Sequence, residues 1–508
     1  MLSLSSRLID NDGGMVIPIA AGLLVAFVSY QLFWPAKKTV FDNIPKAPFN
    51  VARSFDLLPA IRPDPFAGFM ELTKSNDYKP ICVFWVAGII PVIVVNTLEL
   101  TKEILVALQG TNERDFERSV MITERELHAF LQHWRWAKNI LAPAFAPRKM
   151  ISTVFPYTLK RARALVDEIE EKRASSEAAI DILPLTAAFT LDVICKFLYG
   201  RAGEEELDFS DLGGKQNIHK IFTDIVAGFS SDWHKLPIIG RTEWAKRPYR
   251  PATERFNRFL TKAINAAFLD AAHGSTTHTF VTGFEQSPEF DPASPEGRIF
   301  LRDETGGIVF AGFDTTANSL SFALGLLAER PDIQTEIARE VQEMFGSGPV
   351  DVEAIKPESL RDLKMTNAVI RETFRVHPIT FGSFVTSKNK VNISGLEIPA
   401  GTEFICNFRG IYRDPTLFPE PDKFDPYRWL ESETTAKLPD MVFNMGAHSC
   451  VGRPLAMLEL RLALALLVNR FEMRLKPGFK VETKFGITMM PKHGVWLEFK
   501  ERSTGHEE

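Results

Sequence analysis

Cys450 has the sequence context of a reactive thiolate. It lies in the run FNMGAHSCVG, residues 443–452, between Gly446 and Gly452 and just before a long apolar segment. Backbone N–H groups and the positive end of a following helix dipole favour the anionic form of a thiol at this position. The glycines let the backbone turn tightly and let a flat cofactor approach the sulfur. A thiolate held this way can ligate haem iron. The alternative is an inert cysteine packed before a helix.

An acid and an alcohol stand side by side at Asp314 and Thr315, within a predicted long helix over about 296–330. Gly312 costs this helix roughly 1 kcal/mol relative to alanine. The hydroxyls of Thr315 and Thr316 can bond to carbonyls one turn earlier, which bends helices. Together these residues predict a local opening of the helix, where an acid–alcohol pair can pass protons to a bound oxygen species. The alternative is a solvent-facing aspartate beside two indifferent threonines.

Glu372 and Arg375 predict an ion network, because they lie three residues apart on one predicted helical face. On a surface such a pair contributes only tenths of a kcal/mol and is common. Here the helix is otherwise apolar, and a proline-punctuated segment follows it before Cys450. Arg428 in that segment offers a second arginine. A buried Glu–Arg–Arg network would fix the segment against the core.

The apolar periodicity that positions these residues predicts one mainly α-helical domain with minor β-sheets. Predicted helices cover much of 127–269, then 296–330, 333–345, 363–376 and 454–470. A predicted strand over 83–95 turns at Gly88 and Pro91, and short strands are predicted over 384–408. Serine, threonine, glycine and proline at 275–295 predict a surface loop.

Composition excludes several classes of protein. The chain has 508 residues and a formal net charge of -5, which argues against a nucleic-acid-binding protein. Its cysteines are scattered without a CxxC pair, so they fit neither a zinc site nor a disulfide framework and suit a reducing compartment. GxSxG, GxxxxGK and HExxH are absent, which argues against a hydrolase or an NTPase.

Residues 15–34 predict a membrane anchor, because this uncharged stretch of 20 residues is long enough to span a bilayer as a helix. Lys37 and Lys38 follow it, so the positive-inside rule places the rest of the chain in the cytosol. A cleaved signal peptide is the alternative. The predicted organisation is a short lumenal N-terminus over 1–14, the anchor over 15–34, a proline-containing linker over 35–50 and a catalytic domain over 51–508.

These motifs, in this order, resemble the cytochrome P450 family. The run at Cys450 is similar to FxxGxxxCxG, Glu372 and Arg375 to ExxR, and residues 426–429 to the PxRx element. Residues 311–316 resemble the family's oxygen-activating centre. The resemblance implies a cytochrome P450 fold preceded by a single transmembrane helix. It also implies haem b, with Cys450 as the iron ligand; the residues implied to bind the cofactor with it are Trp134, Lys138, Phe443, Gly446, His448 and Gly452.

Three residues depart from the family pattern, at positions where arginines normally bind the haem propionates. His448 and Lys138 stand at two of these positions, and Val385 stands at roughly the third. Arginine grips a carboxylate bidentately, lysine acts as a point charge, and neutral histidine offers a single hydrogen bond. We therefore expect altered haem affinity, or compensation by other residues.

The resemblance further implies a microsomal monooxygenase of the fungal secondary-metabolism type. It would hydroxylate or epoxidise a lipophilic small molecule at the endoplasmic reticulum membrane, using O2 and electrons from an NADPH–cytochrome P450 reductase, with Asp314 and Thr315 relaying protons. Residues predicted to line the substrate pocket are Phe310, Phe313, Ile379, Phe381, Phe384 and Thr488; each has ordinary core packing as its alternative. Two other functions stay open: an isomerase or dehydratase on the same fold, which does not use external O2, and a non-catalytic haem sensor.

Overall fold

The structure of the protein is a computed structural model. It describes residues 80–86, 90–107, 145, 152–175, 178–200, 207–229, 247–273, 279–285, 291, 294–346, 348, 350, 354–387, 389–446, 449–485 and 487–502. Within these ranges, no helix combines the length and apolarity needed to cross a bilayer. The predicted anchor over 15–34 and the predicted linker over 35–50 lie outside them, as do Trp134, Lys138 and His448.

Helices make up most of the described chain, as the sequence predicts. The α-helices are α1 Leu98–Ala107, α2 Phe155–Ala174, α3 Leu183–Tyr199, α4 Ile218–Phe229, α5 Arg250–Ala272, α6 Phe280–Glu285, α7 Pro295–Ala328, α8 Pro331–Phe345, α9 Ser359–Asp362, α10 Lys364–Val376, α11 Phe408–Ile411, α12 Arg428–Glu431, α13 Glu433–Ala436 and α14 Arg453–Arg470. Short 3-10 turns lie at Ser210–Leu212, Lys215–Asn217 and Met441–Phe443.

The strands form small sheets. They are β1 Ile81–Val86, β2 Ile90–Val95, β3 Ile180–Asp181, β4 Gly382–Thr386, β5 Val391–Ile393, β6 Leu396–Ile398, β7 Glu403–Asn407, β8 Phe471–Leu475, β9 Thr483–Phe485, β10 Met489–Pro491 and β11 Trp496–Glu501. The largest described sheet has the order β1-β2-β7-β4, and β2 and β7 pair in parallel. The others are β3-β11-β8 and the hairpins β9-β10 and β5-β6.

The helix α7 runs through the main apolar core and starts at a defined cap. Ser294 accepts a hydrogen bond from the Gly297 N–H at 3.0 Å, and Pro295 occupies the first turn, where its missing N–H costs nothing. The helix ends at Ala328, just before Pro331 opens α8. Packed against α3 and α14, α7 carries buried side chains on almost every face in its C-terminal half.

The predicted opening of this helix at Gly312 is wrong, since α7 continues as an unbroken α-helix from Pro295–Ala328. Gly312 instead makes room for a side chain of α3. A Cβ at Gly312 would lie 2.6 Å from Cγ1 of Ile194 in α3. The missing side chain therefore lets α3 and α7 approach closely, and the sequence pattern alone does not reveal this partner.

Two other predictions are corrected by tertiary context. Pro91 was predicted in a turn, but it is the second residue of β2, paired with Trp85. The parallel ladder to β7 begins at Val92, so the missing N–H of Pro91 interrupts no bond on that side. The predicted loop over 275–295 contains α6, whose Phe280 and Phe284 are buried and fix a short helix against the core.

Candidate active site

The loop before α14 holds Cys450 in an open position. The Cys450 N–H donates to the Phe443 carbonyl at 2.7 Å, which closes the loop, and Ser449 N–H donates to the Gly446 carbonyl at 3.1 Å. Gly446 has a φ of 67°, a conformation that favours glycine. The cysteine side chain is exposed, whereas the other three cysteines are buried. Since α14 starts at Arg453, the thiol sits beside the N-terminus of an 18-residue helix.

Side chains from other elements fix this loop. The ring of Phe443 meets Phe374 of α10 edge-on, with centroids 5.3 Å apart. Asn444, which has a φ of 56°, donates from its amide to the Ser383 hydroxyl in β4 at 3.1 Å. The Met441 N–H donates to the Tyr412 hydroxyl at 2.8 Å. The loop is therefore positioned by α10, by β4 and by the residue after α11.

A groove of about 470 Å³ opens beside the cysteine loop. It is lined by α10, by residues 436–446 and by the start of α14, and three arginines contribute to it: Arg371, Arg453 and Arg461. Arg371 and Arg453 both bind Asp440, at 2.8 and 2.7 Å. The groove thus presents Cys450 next to a surface with excess positive charge.

Glu372 and Arg375 form the centre of a buried network, and both side chains are 0% exposed. Arg375 donates from Nη2 to Oε1 and from Nε to Oε2 of Glu372, at 2.8 and 2.9 Å. Arg428 adds a bond from Nε to Oε1 at 3.1 Å. The sequence had not predicted the indole of Trp429, which donates to Oε2 at 2.8 Å.

The same network fastens the proline-rich segment. The remaining guanidinium hydrogens of Arg375 donate to the carbonyls of Tyr412, Pro421 and Lys423, at 3.1, 2.6 and 2.8 Å. The Asp425 N–H donates to Oε1 of Glu372 at 2.8 Å. A buried charge is tolerated when its hydrogen-bonding groups are satisfied, and here both charges are. The structure thus brings Glu372, Arg375 and Arg428 together.

The acid and the alcohol of α7 point in different directions. Thr315 is half-buried and donates its hydroxyl to the Ala311 carbonyl at 2.7 Å, and Ala311 itself is exposed in mid-helix. Asp314, one position and about 100° away around the helix, is only 1% exposed. A space therefore opens along the Ala311–Thr315 side of α7, and the carboxylate of Asp314 lies outside that space.

Asp314 has polar neighbours from distant parts of the chain. Thr488 donates a hydrogen bond to Oδ2, and Nδ1 of His219 lies 3.8 Å from Oδ1. Burial raises the pKa of Asp314 to about 6, against the lowering effect of hydrogen bonds from Thr488 and Asn318. A carboxyl group with a pKa near neutrality exchanges protons readily, which is the property that acid–base chemistry requires.

Asp314→Asn is expected to stabilise the fold at neutral pH by about 3 kcal/mol, because the wild-type protein must bury a carboxylate there. The folded state binds the Asp314 proton more tightly than the unfolded state, since the pKa rises from 3.8 to about 6. Wild-type stability from this group therefore falls as pH rises through that window. Urea unfolding should show the gain of the variant at pH 7.5, and the gain should vanish near pH 4.

Asp332→Asn is the matched control. Its carboxylate is exposed, and a hydrogen bond from Arg330 lowers its pKa. The amide should therefore not stabilise the fold at any of these pH values. Equal stability of Asp314→Asn and wild type at pH 7.5 would contradict the raised pKa of Asp314.

The predicted pocket residues separate into different environments. Phe313 is fully buried in an aromatic cluster with Phe222, centroids 5.1 Å apart, which is the core alternative. Phe310 is half-buried and stacks on Phe222 at 4.9 Å. Ile379 and Phe381 are buried in a separate apolar cluster, against which Phe384 packs. Thr488, predicted to line the pocket, binds Asp314.

Sequence reasoning missed His219 and Trp429. His219 lies 95 residues before Asp314, with no motif joining the two, so only the packing of α4 near α7 could reveal it. Trp429 is the last residue of the 426–429 element. Because an indole N–H can only donate a hydrogen bond, its position in that element could have indicated the contact with the predicted buried carboxylate of Glu372. Val385 is buried in the sheet with Phe404, as an apolar residue requires.

The arrangement of an exposed cysteine in a closed loop, a buried Glu–Arg network and a long central helix with an acid–alcohol pair defines a class of haem-thiolate oxidoreductases. Comparison with known proteins agrees. The model of the cytochrome P450 family matches residues 63–497. The chain therefore belongs to the cytochrome P450 family and is a P450 monooxygenase.

Individual relatives give the same assignment. The chain is 23% identical over 524 residues to cytochrome P450 4V2 of Rattus norvegicus, covering 95% of this chain and 94% of that protein. It is 25% identical over 526 residues to the cytochrome P450 monooxygenase sphH of Aspergillus fumigatus, covering 95% and 92%. It is 34% identical over 204 residues to the mitochondrial sterol 26-hydroxylase of Mus musculus, covering 38% and 37%.

The residues present fit the haem that the family implies. Cys450 is the exposed cysteine of the described chain, and its sulfur lies beside Gly452, 3.7 Å from where a Cβ on that glycine would stand. Cys450 would hold the iron, and Phe443 and Gly446 would shape the loop that presents its sulfur. Trp134, Lys138 and His448, which the resemblance implies to bind the cofactor, lie outside the described residues.

Proposed function

We propose that this protein is a microsomal haem-thiolate monooxygenase that hydroxylates or epoxidises a lipophilic small molecule in fungal secondary-metabolite biosynthesis. Electrons would reach it from an NADPH–cytochrome P450 reductase at the endoplasmic reticulum membrane. The observation that carries this proposal is the exposed Cys450 at the N-terminus of α14, held by the Phe443 carbonyl at 2.7 Å. This placement keeps the sulfur available as an anionic ligand.

The haem supplies oxygen activation when bound, and the chain supplies ligation, protons and a shaped site. The thiolate of Cys450 would ligate the haem iron. The backbone N–H groups at the start of α14 and the helix dipole stabilise that negative charge. The Glu372–Arg375 network holds the segment that leads into the cysteine loop, so the sulfur stays in one place during turnover.

Protons would be handled by Asp314 and Thr315. Thr315 lies on the open side of α7, and its hydroxyl can release the Ala311 carbonyl and donate into that space. Asp314, on the buried side, has its pKa raised to about 6 by burial and can accept and return a proton near neutral pH. Because the two side chains diverge, the proton must pass between them through a small rotation or a water molecule.

A lipophilic substrate class is supported by apolar side chains near the open side of α7. Phe322 lies seven residues after Thr315 and therefore on the same side of α7, and it packs in one apolar cluster with Ile379, Phe381 and Met489. The sterol 26-hydroxylase among the relatives is named for a lipid substrate. Apolar pockets with few polar groups bind such molecules through burial of hydrocarbon surface.

The reductase would dock on the cysteine side. Arg371, Arg453 and Arg461 line the groove next to Cys450. Excess positive charge there suits an acidic partner surface and speeds its association at low salt. Such docking brings the partner close to the sulfur that ligates the cofactor.

Thr315→Ala is expected to uncouple NADPH use from product formation by about tenfold or more, since it removes a positioned proton donor. Purified protein with reductase would be supplied with the sterol, terpenoid or fatty acid that most changes the haem spectrum. Product and hydrogen peroxide are then measured per NADPH consumed. Haem content should remain that of the wild type.

Thr305→Ala is the matched control, because its hydroxyl makes an equivalent bond to the Leu301 carbonyl earlier in the same helix. It should leave coupling unchanged. Unchanged coupling in Thr315→Ala would remove this residue from the proton relay. Product formed without any NADPH consumption would replace the monooxygenase by an isomerase or dehydratase.

A further inference from the structure

Asp314 is enclosed by three separate parts of the chain and has almost no contact with solvent. It projects from α7 with 1% of its surface exposed. Thr488, in the turn between β9 and β10, donates a hydrogen bond to Oδ2. His219, in the first turn of α4, places Nδ1 3.8 Å from Oδ1. A carboxyl group that gains and loses protons in every turnover needs a route to water through one of its neighbours.

Among these neighbours, His219 is the one that reaches solvent. Its side chain keeps 16% exposure, while Thr488 keeps 5%. Asn318, which donates to the Asp314 carbonyl at 2.8 Å, is fully buried. An imidazole ring has two nitrogens, so one can take a proton from water while the other gives one up.

Burial keeps the ring of His219 neutral. Burial, with a smaller contribution from Lys484 of β9, lowers the pKa of His219 to about 4. Two cations on elements packed against α4 are engaged elsewhere. Lys215 is held by Asp192 of α3 at 2.6 Å, and Arg255 of α5 donates to the Asp211 carbonyl at 2.8 Å. A neutral ring can act as a relay without holding a charge of its own.

We propose that His219 is a positioning residue that carries protons from water to Asp314, at the junction of α4, α7 and the β9-β10 hairpin. The proposal rests on the proposed function, in which Asp314 supplies protons to the site. It adds the point at which protons enter the protein, on the α4 side of α7.

The transfer balances without any electron movement. Nδ1–H of the neutral ring gives its proton to Oδ1 of the Asp314 carboxylate, and Nε2 takes a proton from hydronium or a buffer acid outside. The ring stays neutral throughout. It returns to its starting tautomer when the ring flips or when both nitrogens exchange protons with water. The gap of 3.8 Å closes by a small side-chain rotation or through one bridging water.

The test is the rate at which Asp314 takes up a proton in the full-length, haem-loaded protein. A jump from about pH 7 to about pH 5 protonates a carboxyl with a pKa near 6 and leaves a histidine with a pKa near 4 neutral. Infrared difference spectra follow the carboxyl C=O band, which Asp314→Asn removes and thereby assigns. In His219→Gln, this band is expected to appear about tenfold or more slowly than in the wild type and to reach the same final amplitude.

Two further variants separate a relay from a structural role. His219→Glu has nearly the shape of His219→Gln but carries a titratable group, so it should recover part of the rate. Lys220→Gln, at the exposed neighbouring residue, should match the wild type. A structural role would instead change the amplitude and affect Gln and Glu alike. A wild-type rate in His219→Gln, or no Asp314 band in the wild type, would overturn the proposal.

Failure of the proposed function would appear in a separate measurement. Substrate-free protein with reductase converts NADPH, a proton and O2 to NADP+ and hydrogen peroxide, and this rate needs no identified substrate. A slowed pH-jump response in His219→Gln with unchanged NADPH oxidation would keep the relay and reject the role of Asp314 in turnover. A wild type that never oxidises NADPH would reject the monooxygenase, while the pH jump would still decide on His219.

Discussion

Cys450→Ser is expected to abolish the thiolate form of haem ligation and with it NADPH-dependent turnover. A serine hydroxyl is a far weaker ligand, and it does not push electron density towards the iron as a thiolate does. The measurement is the difference spectrum of the reduced protein with carbon monoxide, whose red-shifted band reports a thiolate ligand. We expect complete loss of that band in the variant.

Cys406→Ala provides the control for this prediction. Cys406 is buried in β7, and burial raises the pKa of its thiol to about 12, so it offers no thiolate. Its replacement should keep the band at wild-type intensity per folded protein. If Cys450→Ser kept the band, another residue would ligate the iron, and the assignment of the loop over 443–452 would be wrong.

The sequence predicted the parts of the site that depend on local spacing. The loop at Cys450 needs glycines and a following helix, and both are local features. Glu372 and Arg375 meet because three residues separate them on one helix, so their pairing follows from helical geometry. The long helix over 296–330 was predicted within two residues at each end, because a loop-forming composition precedes it and Pro331 follows it.

What the sequence did not predict depends on contacts between distant segments. Gly312 was predicted to open its helix, yet its reason is Ile194, 118 residues earlier in the chain. The hydrogen bond from Thr488 to Asp314 joins residues 174 positions apart, so no local pattern predicts it. Phe313 faces the core because Phe222 packs against it. In each case the local pattern was compatible with two environments, and tertiary packing selected one.

The diverging side chains of Asp314 and Thr315 carry a further lesson. Adjacent residues of a helix project about 100° apart, and here the acid lies among the neighbouring elements while the alcohol lies on the open side of α7. In this protein those elements supply Thr488 and His219. The proton chemistry of the site therefore depends on residues that lie far in sequence from the Asp314–Thr315 pair.

Glu372→Gln is expected to destabilise the fold by about 3–5 kcal/mol, because it leaves the guanidinium of Arg375 buried without its counter-charge. Both side chains are 0% exposed, so water cannot compensate. Arg428, whose side chain is 9% exposed, loses the same partner. A loss of this size removes a large share of the stability of a typical domain. We expect little folded, haem-loaded protein on expression, and a lower urea midpoint in what is recovered.

Glu343→Gln tests whether burial is the cause. Glu343 pairs with Arg339 at 2.7 Å, four residues away on α8, but both side chains are more than 60% exposed, at 64% and 67%. Exposed pairs contribute about 0–1 kcal/mol, so this variant should unfold at nearly the wild-type urea concentration. Similar urea midpoints for the two variants would mean that the Glu372 network contributes no more than a surface pair. The proline-rich segment would then be held by the carbonyl contacts of Arg375 alone, and Arg375→Gln, not Glu372→Gln, would be the variant that fails to retain haem.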